Sequence, residues 1–298
     1  MTGAPLDAAD EALLAALGQD GRASLETLTR VTGLPRSTVR TRTARLLAEV
    51  VDVLGIVHPA VFGLDAYALL LVEPAGSALA AAQAVAARAE VPFVSVVAGE
   101  VAVVAEVRAA DQRAVAAVVA DLAALPAVAG IETCSYVDIL TDAAVPPRPA
   151  GPVAVDAIDR SLLARLQVDG RLSFAALAEA VGLSVGATRM RVLRLREEGV
   201  LHIGVRLRPA AVGVLQAGAA LTVRGDLPAV LDAIGGRPRV TYLAAALGRW
   251  SVICTVRADS PAGLADELDA LREVPGVTGL RSWTHLRLVK ERYQDGAG

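Results

Sequence analysis

A shift of 149 residues lays this chain on itself. Asp7–Val51 set against Asp156–Val200 agrees at 20 of 45 positions, where unrelated segments would agree at roughly 6–10%. The period is domain-sized, so the fold has to be one unit made twice, and 298 residues leave room for two copies.

Each copy opens with three short helical patterns. Asp7 and Asp10, or Asp156 and Asp159, stand at the start of a first helix, where carboxylates oppose the positive end of the dipole. Leu13, Leu14 and Leu17 mark its apolar face, as Ile158, Leu162, Leu163 and Leu166 do in the second copy. Asp20-Gly21-Arg22 and Asp169-Gly170-Arg171 are turns. Ser24 and Ser173 can cap a short second helix, which Gly33 or Gly182 ends in the left-handed conformation. A third helix follows, capped by Ser184 in the second copy and begun by Pro35 in the first.

Phasing at 100° per residue turns Val39, Thr43, Leu46 and Val50 inward and Ser37, Thr41 and Arg45 outward. The second copy turns Thr188, Val192 and Leu195 inward and Gly186, Met190 and Arg194 outward. Two helices joined by a tight glycine turn, the second one arginine-rich, predict a DNA-reading helix-turn-helix. The net charge of −3 conceals a segregation: Gly21–Glu49 carries +4 and Gly170–Glu198 carries +2, and local patches govern phosphate binding. The expected partner is double-stranded DNA. The candidate contacts are Arg36, Ser37, Thr38, Arg40, Thr41, Arg42 and Arg45 in the first copy, with Ser184, Arg189, Met190, Arg191 and Arg194 in the second. Arginines would neutralise phosphates, while Ser37, Thr41, Arg45, Met190 and Arg194 reach base edges. The β-rich segments Val51–Pro59 and Val200–Pro209 suit a wing or a connecting strand.

The rest of each copy runs β-α-β-β-α-β, a ferredoxin-like sandwich. Its strands are rich in consecutive Val, Leu and Ala, so the face left open by the helices should pack on another sheet. The predicted class is α+β: helix-turn-helix at 1–60, sandwich at 61–141, proline-rich spacer at 142–155, helix-turn-helix at 156–209, sandwich at 210–293, and a disordered tail at 294–298. No apolar run reaches the ~18–20 residues of a membrane span. MTGAPLDAADEALL carries acids where a signal peptide carries basic residues, so a cytoplasmic protein without membrane association is expected. Cys134 and Cys254 read as small buried hydrophobes, and His58, His202 and His285 have no metal spacing. No cofactor and no metal are implied.

These motifs together resemble the Lrp/AsnC, or feast/famine, regulators. Asp7, Asp10, Asp20-Gly21-Arg22, Gly33-Leu34 and Arg45-Leu46 carry the resemblance in the first copy. The second is closer, adding Ser184 and Glu197-Glu198-Gly199-Val200. The resemblance implies a transcriptional regulator, not an enzyme, with winged helix-turn-helix and ACT-like sensing domains. It also implies a small-molecule effector, an amino acid or related metabolite, near the turns Gly99, Glu100, Ala102 and Gly248, Arg249, Ser251. Those turns lack the family's usual aspartate, and Val50 replaces its glycine before the wing. Family members dimerise through their sheet domains and build larger assemblies, so an intrachain pseudo-dimer and a homo-oligomer are expected. The alternatives are an enzyme like the sirohaem decarboxylases, which share this architecture, with His285 beside Trp283 the place to look, or an assembly module without effector.

Overall fold

The computed structural model describes residues 6–142, 154–208 and 214–291. The proline-rich spacer, apart from its first and last two residues, and the tail at 294–298 lie outside the described residues. The first repeat runs α1 (Ala8–Gln19), α2 (Leu25–Thr32), α3 (Arg36–Arg45), β1 (Val51–Val57), β2 (Ala66–Pro74), α4 (Ala78–Ala86), β3 (Phe93–Gly99), β4 (Val103–Ala109), α5 (Gln112–Ala123) and β5 (Val128–Asp142). The second runs α6 (Ala157–Val168), α7 (Phe174–Val181), α8 (Val185–Glu197), β6 (Leu201–Leu207), β7 (Leu215–Val223), α9 (Leu227–Gly235), β8 (Val240–Leu247), β9 (Val252–Ala258), α10 (Pro261–Arg272) and β10 (Val277–Glu291).

The chain divides into two compact units, and neither is a sequence repeat. One gathers both helical heads, residues 6–62 and 154–208; the other gathers both sandwiches, residues 63–142 and 214–291.

In the helical unit the local signals act as their chemistry requires. Asp7 and Asp156 cap α1 and α6 in reciprocal capping boxes with Asp10 and Asp159. Gly33 and Gly182 end α2 and α7 at φ 68° and 69°. The inward phasing holds: Val39, Thr43, Leu46, Val50, Thr188, Val192 and Leu195 are all buried. The two recognition helices end differently. Gly199 takes φ 71° after α8, and Val200 N–H closes the helix by donating to the Leu195 carbonyl. Val50 cannot adopt that conformation cheaply. Its helix instead widens to a π-turn over Leu46–Val50, and Val51 N–H reaches the equivalent Leu46 carbonyl.

The strand after each helix-turn-helix is a connecting strand. β1 and β6 pair antiparallel as a two-stranded ribbon, with Leu54 opposite Gly204 and Gly55 opposite Ile203, pairs that the 149-residue offset interchanges. The Asp-Gly-Arg turns dock on this ribbon: Gly21 N–H donates to the Ile203 carbonyl at 2.7 Å and Gly170 N–H to the Val53 carbonyl at 2.8 Å. Each turn thus binds the strand of the other copy. A Cβ on Gly21 would stand 2.6 Å from Val53 Cγ1, so the approach requires glycine.

In the second unit the two sandwiches close into one eight-stranded barrel, ordered β10-β3-β4-β2-β5-β8-β9-β7. Edge strands are shared: β5 pairs β8 with Ser135 opposite Leu247, and β10 pairs β3 with Thr284 opposite Ala98, the same register moved by the offset. Strand alternation supplies both faces. Ala68, Leu70 and Val72 of β2 pack under α4 and α5, while Leu69 and Leu71 face inward with Val104, Tyr136, Ala244, Ile253, Trp250 and Trp283. The open face expected to meet another sheet therefore meets the other copy's.

Trp283 fills this interior above Gly218, where a Cβ would lie 2.2 Å from the indole Nε1. Gly218→Ala is expected to destabilise the protein by about 1–3 kcal/mol through overpacking, read as a lower urea midpoint, and Trp283→Leu in the same chain should restore part of the loss.

Candidate nucleic-acid interface and effector turns

The arginines of the recognition helices separate into two groups. Arg42 Nη1 donates to both Asp7 oxygens at 2.7 and 2.8 Å and to Asp10 Oδ1 at 3.0 Å, while Arg45 Nη2 donates to Asp10 Oδ2 at 2.5 Å. The second head repeats the arrangement: Arg191 donates to Asp156 at 2.7 Å and Asp159 at 2.9 Å, and Arg194 to Asp159 at 2.6 Å and Glu198 at 2.8 Å. Asp10 and Asp159 are only 2% and 1% exposed. A carboxylate that buried requires cationic partners, and the two arginines supply them. Arg45 and Arg194, assigned outward by phasing, thus turn toward the first helix of their own head. The long side chain, not the Cα position, decides where the charge goes.

Exposed on the same helices are Arg36, Ser37, Arg40 and Thr41 in the first head and Ser184, Arg189 and Met190 in the second, with Thr38 half-buried. Ser184 accepts the Ala187 N–H at 3.2 Å and caps α8. Pro35, at the matching position, makes no side-chain cap. The retained Arg22/Arg171 pair also parts: Arg22 Nε donates to the Gly170 carbonyl at 2.6 Å and its guanidinium lies 5.0 Å from the Phe174 ring centre, whereas Arg171 is exposed.

The two turns about Gly99 and Gly248 belong to the barrel, with φ 143° and 129° at the glycines. The structure joins them through residues the sequence reading passed over. Glu100 meets Arg281 Nε at 3.0 Å, Arg281 Nη1 donates to Glu132 at 3.0 Å, and Trp250 Nε1 donates to the other Glu132 oxygen at 3.1 Å. Arg249 lies over the Trp250 ring at 4.9 Å. Ala102 and Ser251 flank the turns, the Ala102 carbonyl accepting from Val97 N–H and Ser251 N–H donating to Leu221. Glu132 and Arg281 stand 149 residues apart, so one repeat position carries opposite charges in the two copies. That inversion was the available signal.

The remaining candidates are quiet. Burial lowers the pKa of His285 to about 4, so its ring, edge-on to Phe93 at 5.8 Å, is neutral near pH 7. Burial raises the thiols of Cys134 and Cys254 to about 11 and about 12. Among the described residues no three His, Cys, Asp or Glu side chains converge as a metal site would require, and no helix is long and apolar enough to cross a membrane.

Comparison with known proteins places the same elements in sequence families. The AsnC-type helix-turn-helix domain matches residues 6–47 and 155–196, and the Lrp/AsnC ligand binding domain matches 66–142 and 219–295. The transcriptional regulator LrpA of Mycobacterium tuberculosis is 37% identical over 131 residues, covering 42% of this chain and 85% of that protein. The regulator AldR of Mycolicibacterium smegmatis is 33% identical over 143 residues, 45% of this chain and 84% of its own. Each relative therefore corresponds to about one repeat. The crystal structure of the siroheme decarboxylase NirDL spans 95% of this chain and 93% of its own at TM-score 0.64, with 12% sequence identity, a likeness of fold.

The aspartate clusters make the heads acid-sensitive. Asp7 is held below the usual carboxylate range by the Asp10 N–H and then by Arg42, and Asp156 by the Asp159 N–H and then by Arg191. In Asp10 burial pushes upward, but Arg45 and Arg42 outweigh it and the value is lowered. Lowered folded values stabilise the protein above the unfolded carboxylate pKa of about 4, and that stability is lost as pH falls through the folded values. A titration of helical circular dichroism from pH 6 to 2 should show it. Arg45→Ala, which leaves Arg42 on Asp10, should cost about 1–2 kcal/mol in thermal unfolding.

Proposed function

The chain belongs to the Lrp/AsnC family, and on that premise we propose a sequence-specific DNA-binding transcriptional regulator with two unlike reading heads, modulated by a small molecule at its barrel. The observation that carries the DNA reading is the exposed set Arg36, Ser37, Arg40, Thr41, Arg189 and Met190 on helices whose opposite faces are buried. Arg36, Arg40 and Arg189 serve phosphates; Ser37, Thr38, Thr41 and Met190 face base edges, with Ser184 at the start of α8. Arg42, Arg45, Arg191 and Arg194 act one step back, tying each recognition helix to the first helix of its head. The ribbon of β1 and β6 supports a single chain presenting both heads, and their differing faces support unequal half-sites.

The effector reading rests on the charged chain from Glu100 through Arg281 and Glu132 to Trp250. Carboxylates and a guanidinium beside two glycine turns match the ammonium and carboxylate of an amino acid. An effector there would act only by its difference in affinity between arrangements of the protein. The NirDL comparison supports the architecture and leaves the decarboxylase chemistry with that enzyme.

Genomic mapping of sites bound by the tagged chain, followed by footprinting, tests the regulator reading. Unequal base sensitivity of two half-sites is expected, and a perfect palindrome read equally in both halves would overturn it. Arg40→Ala and Arg189→Ala should each weaken binding to all sequences and reduce the salt slope by about one. Thermal-shift screening with amino acids and organic acids should give a stabilising ligand whose effect Arg281→Ala removes; a shift that persists in that variant would place the effector elsewhere.

A further inference from the structure

The two recognition helices differ in the chemistry of the surface they offer. With Thr188, Val192 and Leu195 buried, the opposite side of α8 is formed by the exposed Gly186 and Met190 and the half-buried Leu193, with Ala187 exposed beside them, Arg194 drawn off to Asp159 and Glu197 only at the C-terminal end. The matching positions in α3 are Ser37, Thr41, Ala44 and Thr38. One head thus offers hydroxyls and the other an apolar strip. Met190 is 68% exposed, on a helix flanked by the exposed Arg189. A long, flexible thioether held in water is a cost unless something apolar covers it.

We propose that the second head reads the C5-methyl groups of thymine, with Met190 as its specificity-determining residue and Leu193 and Ala187 completing the contact. This rests on the DNA-binding reading and deepens it. The major groove offers one apolar group, the thymine methyl. The N-terminal residues of a recognition helix are the ones that meet base edges, and Gly186, Ala187 and Met190 occupy those first turns. Gly186, where nothing lies within 4 Å of the place a Cβ would take, lets the backbone approach the bases. The flanking arginine suits a polyanion better than an apolar protein partner. In the first head, Ser37, Thr38 and Thr41 carry hydroxyls that hydrogen-bond to either base type, and only the single γ-methyls of Thr38 and Thr41 can meet a thymine methyl, so that half-site depends less on thymine.

The test uses the full chain and a randomised duplex pool. The enriched duplex is remade with deoxyuridine in place of thymidine in one half-site at a time, which removes only methyl groups. The expected result is a roughly fourfold weakening for each thymine read in one half-site, a smaller effect in the other, and a fall of the larger penalty toward the smaller one in Met190→Thr, which carries the first head's residue. Thermal unfolding of the variant should match the parent, since position 190 is exposed. Equal penalties in both halves, or a penalty unchanged in Met190→Thr, overturns the assignment while leaving DNA binding intact. Indifference to uracil throughout does the same and gives the strip to a protein partner. Failure to enrich any duplex overturns the DNA reading and the methyl reading together.

Discussion

Backbone hydrogen bonds between the two copies hold the whole arrangement in place. A four-stranded ferredoxin-like sheet has two open edges and one uncovered face, and each is costly in water. Here β5 pairs with β8 and β10 with β3, so each edge of one sheet meets an edge of the other and the barrel closes. Closure turns the uncovered faces inward, where Leu69, Leu71, Trp250, Ile253 and Trp283 fill the space. In the helical unit β1 and β6 use the same device on a smaller scale, and the Asp-Gly-Arg turns lock each head onto the other copy's strand. Neither repeat completes either unit alone.

Covalent duplication has a further physical consequence. In a symmetric dimer a residue near the two-fold axis meets its own kind, so charges there repel and volumes double. Two copies in one chain are free to differ. Glu132 of one meets Arg281 of the other at the same repeat position. Trp283 rests over Gly218 where the other copy has Cys134 and Leu69. The Tyr136–Tyr242 ring pair corresponds to His285–Phe93 across the axis. Near the tyrosines Glu106 accepts from Arg108 at 2.6 Å and from the Tyr242 hydroxyl at 3.4 Å; the other copy has Thr255 where Glu106 stands. The reading helices diverge in the same manner, so asymmetry runs through interior and surface alike.

The aspartate–arginine clusters do the reverse: their aspartate–arginine pairing is the same in both heads, with Glu198 added on Arg194 in the second. Asp7, Asp10, Arg42 and Arg45 reappear as Asp156, Asp159, Arg191 and Arg194 with the same partners. A capping box normally satisfies backbone donors at a helix start. Here its carboxylates also receive two guanidiniums from the recognition helix, so one set of charges caps one helix and orients another. Retention of arginines in both copies therefore reports head geometry as much as DNA contact.

The sequence alone determined the duplication, the order of elements, the helix caps, the left-handed glycines and the inward faces of the recognition helices, because each depends on residues a few positions apart. Val39 and Thr188 were placed correctly by periodicity for that reason. The tertiary structure decided what depends on partners distant in the chain. It grouped heads with heads and sheets with sheets, against the order of the repeats, because edges and faces are satisfied only between copies. It turned Arg45 and Arg194 from the outward surface onto buried carboxylates, since a long side chain follows charge rather than helical phase. It also joined the Gly99 and Gly248 turns through Glu132 and Arg281, a pairing that exists only once the barrel has closed.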